Sequence, residues 1–339
     1  MLGLLKISTR SPRKDFASCS GCGLCLLVCP VWRRDRDLGL TPLGRAKALQ
    51  HGAVAADMAD SIQSCTLCTA CEPACPEGIG LVAMTLELRR QLVQAAAAQS
   101  MRARMEEQAA RPLAPRPRAP AVLLPDQALR EHPDTLARAA AALGGAHAMP
   151  LADDEGADIA LALEAGVAVP GPRLERFLRP LRGLKKVVVA DGLLLRHLRQ
   201  WLPRSNIISL GVALSGLAAV RRALGARDLY VIEPRAYHAD YQRLVKYYDA
   251  LRAACGCAVN LDLQRIAIPA AAKSPSRRPD LKSAPDTADD GAQARWILQG
   301  RTIERIVVES IEDLGAFERV SALPVVHLAD LADDRMASL

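Results

Sequence analysis

The sequence predicts an α+β protein of several domains, an all-helical cysteine-rich segment followed by an α/β region of two similar halves. Three observations carry that expectation. Eight of the ten cysteines form two copies of one spacing, C-x2-C-x2-C-x3-C-P, at Cys19, Cys22, Cys25, Cys29-Pro30 and at Cys65, Cys68, Cys71, Cys75-Pro76. Residues 111–120 hold four prolines, Pro112, Pro115, Pro117 and Pro120. Beyond them, apolar β-branched runs alternate with helical patterns, as in α/β architectures.

The cysteine spacing wraps a 4Fe–4S cube. Three thiolates two residues apart can curl round one cluster, while the fourth, set off by an extra residue and a rigid proline, reaches a neighbouring one. The expected ligands are therefore Cys19, Cys22, Cys25 and Cys75 for a first cube, and Cys65, Cys68, Cys71 and Cys29 for a second. Zinc sites ask for two separated pairs and have no use for a third cysteine or for Cys-Pro. Disulfides do not fit an N-terminus, Met1 to Lys14, whose apolar run stops at Leu2 to Leu5 without a cleavage site. A reducing cytoplasm is the expected setting.

At 339 residues the chain is long enough for two or three domains with ordinary cores. Half of it is apolar, yet no stretch of eighteen residues lacks charge, which disfavours a membrane span and leaves peripheral contact open. The formal charge is +7. Two oxidised cubes with their thiolates would bring it to about +3, which weakens any nucleic-acid reading. Lys6, Arg10, Arg13, Lys14, Arg33, Arg34 and Arg36 crowd the first motif. They could offset cluster charge, dock an acidic partner, or form a solvated basic surface.

Taken in order, Pro42 to Ile62 reads as helical with Thr41 as N-cap, and so does Gly80 to Gln108, where Leu81, Met84, Leu88 and Leu92 recur at helical spacing. Residues 1–108 are thus expected as one helical unit and 109–120 as a semi-rigid linker. Strands follow at Ala121–Leu124, Lys186–Ala190 and Asn206–Leu210, with a helix from about Gln127 to Leu143. The order then repeats, with strand Leu229–Ile232, helix His238–Ala254, strand Ile306–Glu309, a short helix, and strand Val325–Leu328. "NIISLGVAL" (206–214) and "VVHLADLA" (325–332) close the two halves in the same way. The halves are expected at 121–224 and 225–339, with a mobile loop at 270–293 rich in Pro, Ser, Lys and Asp.

On these residues the chain resembles the iron–sulfur subunits related to heterodisulfide reductase, a group that includes those of anaerobic glycerol-3-phosphate dehydrogenase, glycolate oxidase and lactate-utilisation systems. "CSGCGLCLLVCPVW" (19–32), "TPLGRAKAL" (41–49) and "CTLCTACEPACPEGI" (65–79) are similar to that family's α-helical ferredoxin domain, including a Pro-x-Gly-Arg element at Pro42, Gly44 and Arg45. Over 119–339 the resemblance rests on element order and on segments such as 122–145 and 229–251. It implies electron exchange with a flavoprotein partner. Family members usually carry, in each half of the second region, a cysteine after the first strand and a Cys-Cys-Gly element further on. Here Pro125-Asp126 and Asp153-Asp154-Glu155-Gly156 stand at those places in the first half, and Glu233-Pro234-Arg235 follows the first strand of the second. Carboxylates cannot replace soft thiolates in unusual clusters or disulfide exchange, so disulfide reduction is not expected to transfer.

The remaining thiols, Cys255 and Cys257, are expected near a helix end and a strand start, as structural thiols or a regulatory redox pair. Asp153 to Glu155 lacks any H-x-x-x-H companion and is expected as a solvated turn rather than a hydrolytic metal site. "LGVALSG" (210–216) lacks both the G-x-G-x-x-G order and a P-loop lysine, which assigns flavin or nicotinamide to a partner. The leading expectation is an electron-transfer subunit relaying single electrons between a flavoprotein dehydrogenase and a second acceptor in a hetero-oligomer, with no catalytic residue of its own. The alternatives are a stand-alone oxidoreductase binding substrate through Asp126, Asp153, Glu155 or Arg235, and an assembly protein whose clusters staple the fold.

Overall fold

The computed structural model describes residues 14–112, 119–262, 264–270 and 291–332. Residues 113–118 of the expected linker, 271–290 of the expected loop, and Lys6, Arg10 and Arg13 lie outside them. The protein mixes helices with two parallel sheets.

The cysteine-rich region is helical: α1 Leu24–Leu27, α2 Pro30–Asp35, α3 Pro42–Gln50, α4 Ala59–Ser64, α5 Leu81–Leu92 and α6 Ala95–Ala110. Thr41 caps α3, its hydroxyl accepting from the Gly44 amide at 3.1 Å. Each of the two long helices expected here is broken. The first turns at His51–Gly52, and the second at Val93 and Gln94, both extended. The second also runs past residue 108 to Ala110.

The sheet region contains β1 Ala121–Leu124, α7 Gln127–Arg130, α8 Pro133–Gly144, α9 Ala157–Ala165, α10 Gly171–Leu178, β2 Lys186–Val189, α11 Gly192–Trp201, β3 Ile207–Ser209, α12 Leu210–Ser215 and α13 Ala218–Ala223. It continues with β4 Asp228–Val231, α14 Pro234–Ala239, α15 Tyr241–Cys255, β5 Ala258–Val259, α16 Ala292–Leu298, β6 Arg305–Val308, α17 Ile311–Glu318 and β7 Val325–His327. Pro133 divides the helix expected from Gln127, because its ring holds His132 out of the helical region. Helices α9 and α10 stand where periodicity suggested no element. At the edges of the expected loop 270–293, Ala270 is fully buried and Ala292 and Gln293 belong to α16.

Strand order is β1-β2-β3 in one sheet and β5-β4-β6-β7 in the other, all parallel. A parallel bridge from Leu123 to Leu151 sets a short edge beside β1, as β5 lies beside β4, so the two orders correspond. Side chains alternate with the strand period. Leu123 and Val188 of one sheet, and Tyr230 and Val307 of the other, enter a single core shared between the sheets. Val187 and Val189 face α11 on one outer side. Leu229, Val231, Ile306 and Val308 pack with Phe317 on the other.

A polar cluster of the second half borders this shared core. The Glu309 carboxylate accepts from the Tyr230 and Tyr248 hydroxyls at 2.5 and 2.6 Å and from the Glu233 amide at 2.9 Å. It sits so close to Gly211 that a Cβ there would lie 2.1 Å from its carboxyl carbon. α5 and α6 lean on α9, and α6 on α10, which joins the cysteine-rich region to the sheet region.

Candidate iron–sulfur site

The two motifs fold into the same backbone shape. Within Cys19–Cys25 the left-handed positions are Gly21 (φ +83°) and Gly23 (φ +77°). Within Cys65–Cys71 they are Leu67 (φ +52°) and Thr69 (φ +61°), two and four residues after the first cysteine in both copies. Alternating left-handed residues curl the chain so that successive cysteines face one centre, which glycine adopts at no steric cost. Pro30 starts α2 directly after Cys29, and the amides of Trp32 and Val31 at the start of that helix favour the Cys29 thiolate.

Cys19, Cys22, Cys25 and Cys75 line one pocket with Pro42, Leu43, Ile79 and Leu81, about 330 Å³ including the solvent at its mouth. Cys29 lies outside that pocket's walls and between the two sets, its charge felt by Cys25 as well as by Cys65, Cys68 and Cys71. Burial, helped by Cys29, Cys19, Cys75 and Cys22, pushes the Cys25 thiol up to about 12. Burial pushes Cys68 up to about 12 as well, and lifts Cys71 well above the ordinary thiol range. Thiols so desolvated stay protonated until a cation joins them, as iron would. Among the described residues, no three His, Cys, Asp or Glu side chains are gathered tightly enough for a single metal ion. A cube spreads its thiolates more widely than one ion does.

Buried donors without acceptors give a second test of fit. Arg45 is 1% exposed, and its Nη1 donates to the Ser61 carbonyl at 2.7 Å, yet its Nε has no partner. Arg45 also lies near enough to Cys29 to favour its thiolate. The Thr69 hydroxyl, between Cys68 and Cys71, and Arg33 Nη1, whose guanidinium lies near Cys29 and Cys68, are likewise buried without partners. Buried donors are almost always satisfied. Inorganic sulfide and thiolate sulfur are acceptors of the kind such donors lack. The residues fit an iron–sulfur cluster.

The Pro-x-Gly-Arg element has a physical reading. Pro42 opens α3, a Cβ on Gly44 would lie 2.2 Å from the Leu38 carbonyl, and the close approach so permitted carries Arg45 inward. On the first motif, Lys47 Nζ donates to the Cys19 carbonyl at 2.9 Å and Gln50 reaches Phe16, Ala17 and Cys19.

Residue matching and sequence comparison decide the relationship. Residues 15–79 match the 4Fe–4S dicluster domain family. The chain is 34% identical over 87 residues to a subunit of the ferredoxin:CoB-CoM heterodisulfide reductase of Methanosarcina mazei, covering 26% of this chain and 52% of that protein. The chain carries a 4Fe–4S dicluster domain and is similar over part of its length to a heterodisulfide reductase subunit. It is also 36% identical over 76 residues to the corresponding subunit of the ferredoxin/F(420)H(2)-dependent CoB-CoM heterodisulfide reductase of Methanosarcina acetivorans, covering 22% of this chain and 45% of that one. The chain spans about half the length of these relatives. No solved structure matches it. Among the described residues, no helix is long and apolar enough to cross a membrane.

The sheet region reaches this iron–sulfur domain at its second motif. Arg235 donates to the Thr66 carbonyl at 2.7 Å and to Glu164 at 3.0 Å. His238 Nδ1 lies 2.8 Å from the Cys68 carbonyl, while Nε2 accepts from the Ala267 amide at 3.2 Å. Those partners require a neutral ring with its proton on Nδ1, and burial lowers His238 to about 4 in agreement. Arg89 bridges the Cys65 carbonyl at 2.5 Å and the Glu164 carbonyl at 2.7 Å. Glu72, beside Cys71, accepts from Val82 at the start of α5 and from Arg196 of α11. Nothing in the periodicity announced Arg89, Arg196 or His238. Their only signal was a charged or imidazole residue inside otherwise apolar helices.

Of the alternative substrate residues, Asp126 and Arg235 lie near each other, and Asp153 and Glu155 do not join them. Asp126 caps α7 through the Leu129 amide at 2.7 Å, and burial lifts it to about 6. It shares with Asp191, Glu233 and Glu312 the buried surroundings of Arg235. Asp153 to Glu155 lies elsewhere, with Asp153 exposed but the other two drawn out of solvent. Asp154 is buried against Arg173 at 2.6 Å and Arg176, and Glu155 pairs with Arg130. Of the expected basic surface, Arg33 stacks over Trp296 at 4.0 Å, Arg34 pairs with Asp35 and Lys14 with Glu77. Cys255 ends α15 and Cys257 precedes β5. Both are free thiols, and burial pushes Cys257 up to about 12.

Proposed function

We propose that this chain is an electron-transfer subunit that carries two 4Fe–4S clusters and relays single electrons between a flavoprotein dehydrogenase and a second acceptor in a cytoplasmic oxidoreductase complex. Bound at these thiols, such clusters accept and release one electron at a time. Cys19, Cys22, Cys25 and Cys75 hold the first cube, and Cys65, Cys68, Cys71 and Cys29 the second. The observation that carries this reading is the convergence of Cys75 on the pocket of Cys19, Cys22 and Cys25, beside a second loop of the same backbone shape. Crossed ligation keeps the cubes adjacent, as transfer between them requires. The relatives' names support membership of a multi-subunit redox assembly.

In this reading residues 14–112 form the cluster domain and the two sheets the halves of a covering domain. Carboxylates fill the places where thiols would support other chemistry. Asp126, Asp191 and Glu233 each cap the helix that follows their strand. The test is electron flux through the complex purified anaerobically from its native cells. Cys25→Ser with Cys71→Ser should abolish it, and unchanged flux would sink the proposal.

A second reading draws on a cleft of about 350 Å³, solvent at its mouth included, at the carboxyl ends of β4 and β6. Cys68, Glu233, Arg235, Ser310 and Glu312 are among its walls. Such strand ends are where α/β folds bind ligands. A substrate held there would sit beside the second cube. This reading requires turnover by the purified chain with an artificial donor, and failure across thiols and 2-hydroxy acids would count against it.

A further inference from the structure

The surroundings of the two sets of thiols are unequal, and their inequality bears on where an electron rests. Around Cys29, Cys65, Cys68 and Cys71 stand three buried donors without acceptors, on Arg33, Arg45 and Thr69. Three further side chains, Arg89, Arg235 and His238, donate to the carbonyls of Cys65, Thr66 and Cys68, polarising the peptides of that loop. The Ala70 amide and the Thr66 hydroxyl also favour the Cys68 thiolate. The Glu72 carboxylate opposes them but is held by Arg196 and the start of α5. Around the first set, Lys47 and Gln50 reach the Cys19 carbonyl, Cys22 is exposed, and the pocket opens to solvent.

Reduction adds negative charge to a cluster that already carries it. Donors and cations held in a buried, low-dielectric place stabilise the reduced form and raise the potential. We propose that this donor shell, completed by Arg235 and His238 of the sheet region, raises the second cube above the first in potential, so that the electron comes to rest on the cube under the sheet region. Arg235, His238 and Thr69 are then positioning residues that set a potential. The inference rests on the two-cube reading of the thiols.

The test is an EPR-monitored redox titration of the full chain, preceded by iron and sulfide analysis. A wild-type protein without two four-iron cubes would defeat the functional reading itself, whatever the potentials. With both present, Lys47→Met should move only the lower-potential wave, which identifies the first cube. Thr69→Val keeps shape and removes the hydroxyl. His238→Gln keeps an acceptor for Ala267 and loses the donor to Cys68. Each should shift the higher wave alone, lowering its reduced-to-oxidised ratio about tenfold at fixed ambient potential, equivalent to about 59 mV for one electron. Thr69→Ser and His238→Asn, which restore a donor, should return it. Should Thr69→Val fail to accumulate, the His238 pair on the other side of the loop decides. Equal shifts in both waves, no shift, or a wild type whose lower wave answers to His238 would overturn the proposal.

Discussion

Ser20–Leu24 and Thr66–Ala70 are the same loop in two environments. Both turn through left-handed residues at matching positions. In the first, the left-handed residues are glycines and the loop is largely exposed. In the second they are Leu67 and Thr69, and all five residues are buried. A leucine in left-handed geometry costs roughly 1–2 kcal/mol. Burying its side chain against Val82 and Leu193 contributes roughly 1.5–3 kcal/mol, enough to offset that cost. The cysteine spacing therefore dictates the backbone, and the covering region chooses the side chains. A glycine marks the loop that faces solvent, and a strained apolar residue marks the loop that has become interior.

The largest way to break this comparison is to remove a cysteine from the shared end of a motif. Cys29→Ser should deplete the second cube and spare the first, and Cys75→Ser should do the reverse, each removing about half of the bound iron. Iron analysis with EPR of the reduced protein reads this directly. Depletion of the first cube by Cys29→Ser would show that ligation is not crossed. Next in size, Leu67→Gly relieves the backbone but empties a buried site, and should destabilise by about 2–3 kcal/mol net. Gly21→Ala should cost about 1 kcal/mol for the opposite reason, since it adds a Cβ at positive φ, 3.0 Å from the Lys47 side chain. Anaerobic urea unfolding ranks the two, and a neutral Leu67→Gly would mean that its burial does not offset the strain.

Much of the cysteine-rich site was legible, because the repeated cysteine spacing fixes the turns of both loops. The eight cysteines, the prolines after them and the Thr41 cap could be read from sequence. So could every strand except the short β5, each within one residue of its expected limits, since β-branched runs bounded by turns have few other uses. Helix breaks were less legible: Val93–Gln94 carries no proline or glycine, and its turn is set by α5 and α6 each packing on α9. Least legible was the cover. Arg89, Arg196, Arg235 and His238 reach the second motif across 24 to 170 residues of sequence. No local pattern encodes such long-range hydrogen bonds. Asp154 was misread for the same reason, because its partners Arg173 and Arg176 lie on a helix the periodicity did not announce.

A smaller effect sharpens the difference between the exposed and covered loops. Brief exposure of the reduced protein to air should bleach the first cube before the second, since Cys22 is exposed whereas Cys68 lies beneath the sheet region. The EPR signal surviving partial oxidation should then be the one that Thr69→Val shifts. Loss of both signals at one rate would mean that the cover gives the second loop no protection.

The smallest effect concerns the pH dependence of the cover. Burial lifts Glu233 and Glu312, on the cleft beside Cys68, from an ordinary 4.5 to about 8. Each holds a proton in the folded protein that the unfolded chain has released, so their contribution is full below 4.5 and is lost as pH rises through 8. Burial lowers His197 and His327 to about 4, so their contribution acts in the opposite sense and is lost as pH falls from 6.5 towards 4. The two trends oppose each other between 4.5 and 6.5. Above 6.5 only the carboxyl groups still titrate, and the urea midpoint should fall between pH 6.5 and 8. Glu233→Gln keeps an acceptor for one of the Arg235 and Ala236 amides and removes the titrating proton, which should flatten that slope. A midpoint equally steep in the variant would place the pH dependence outside the cover and leave the two loops alike in this respect.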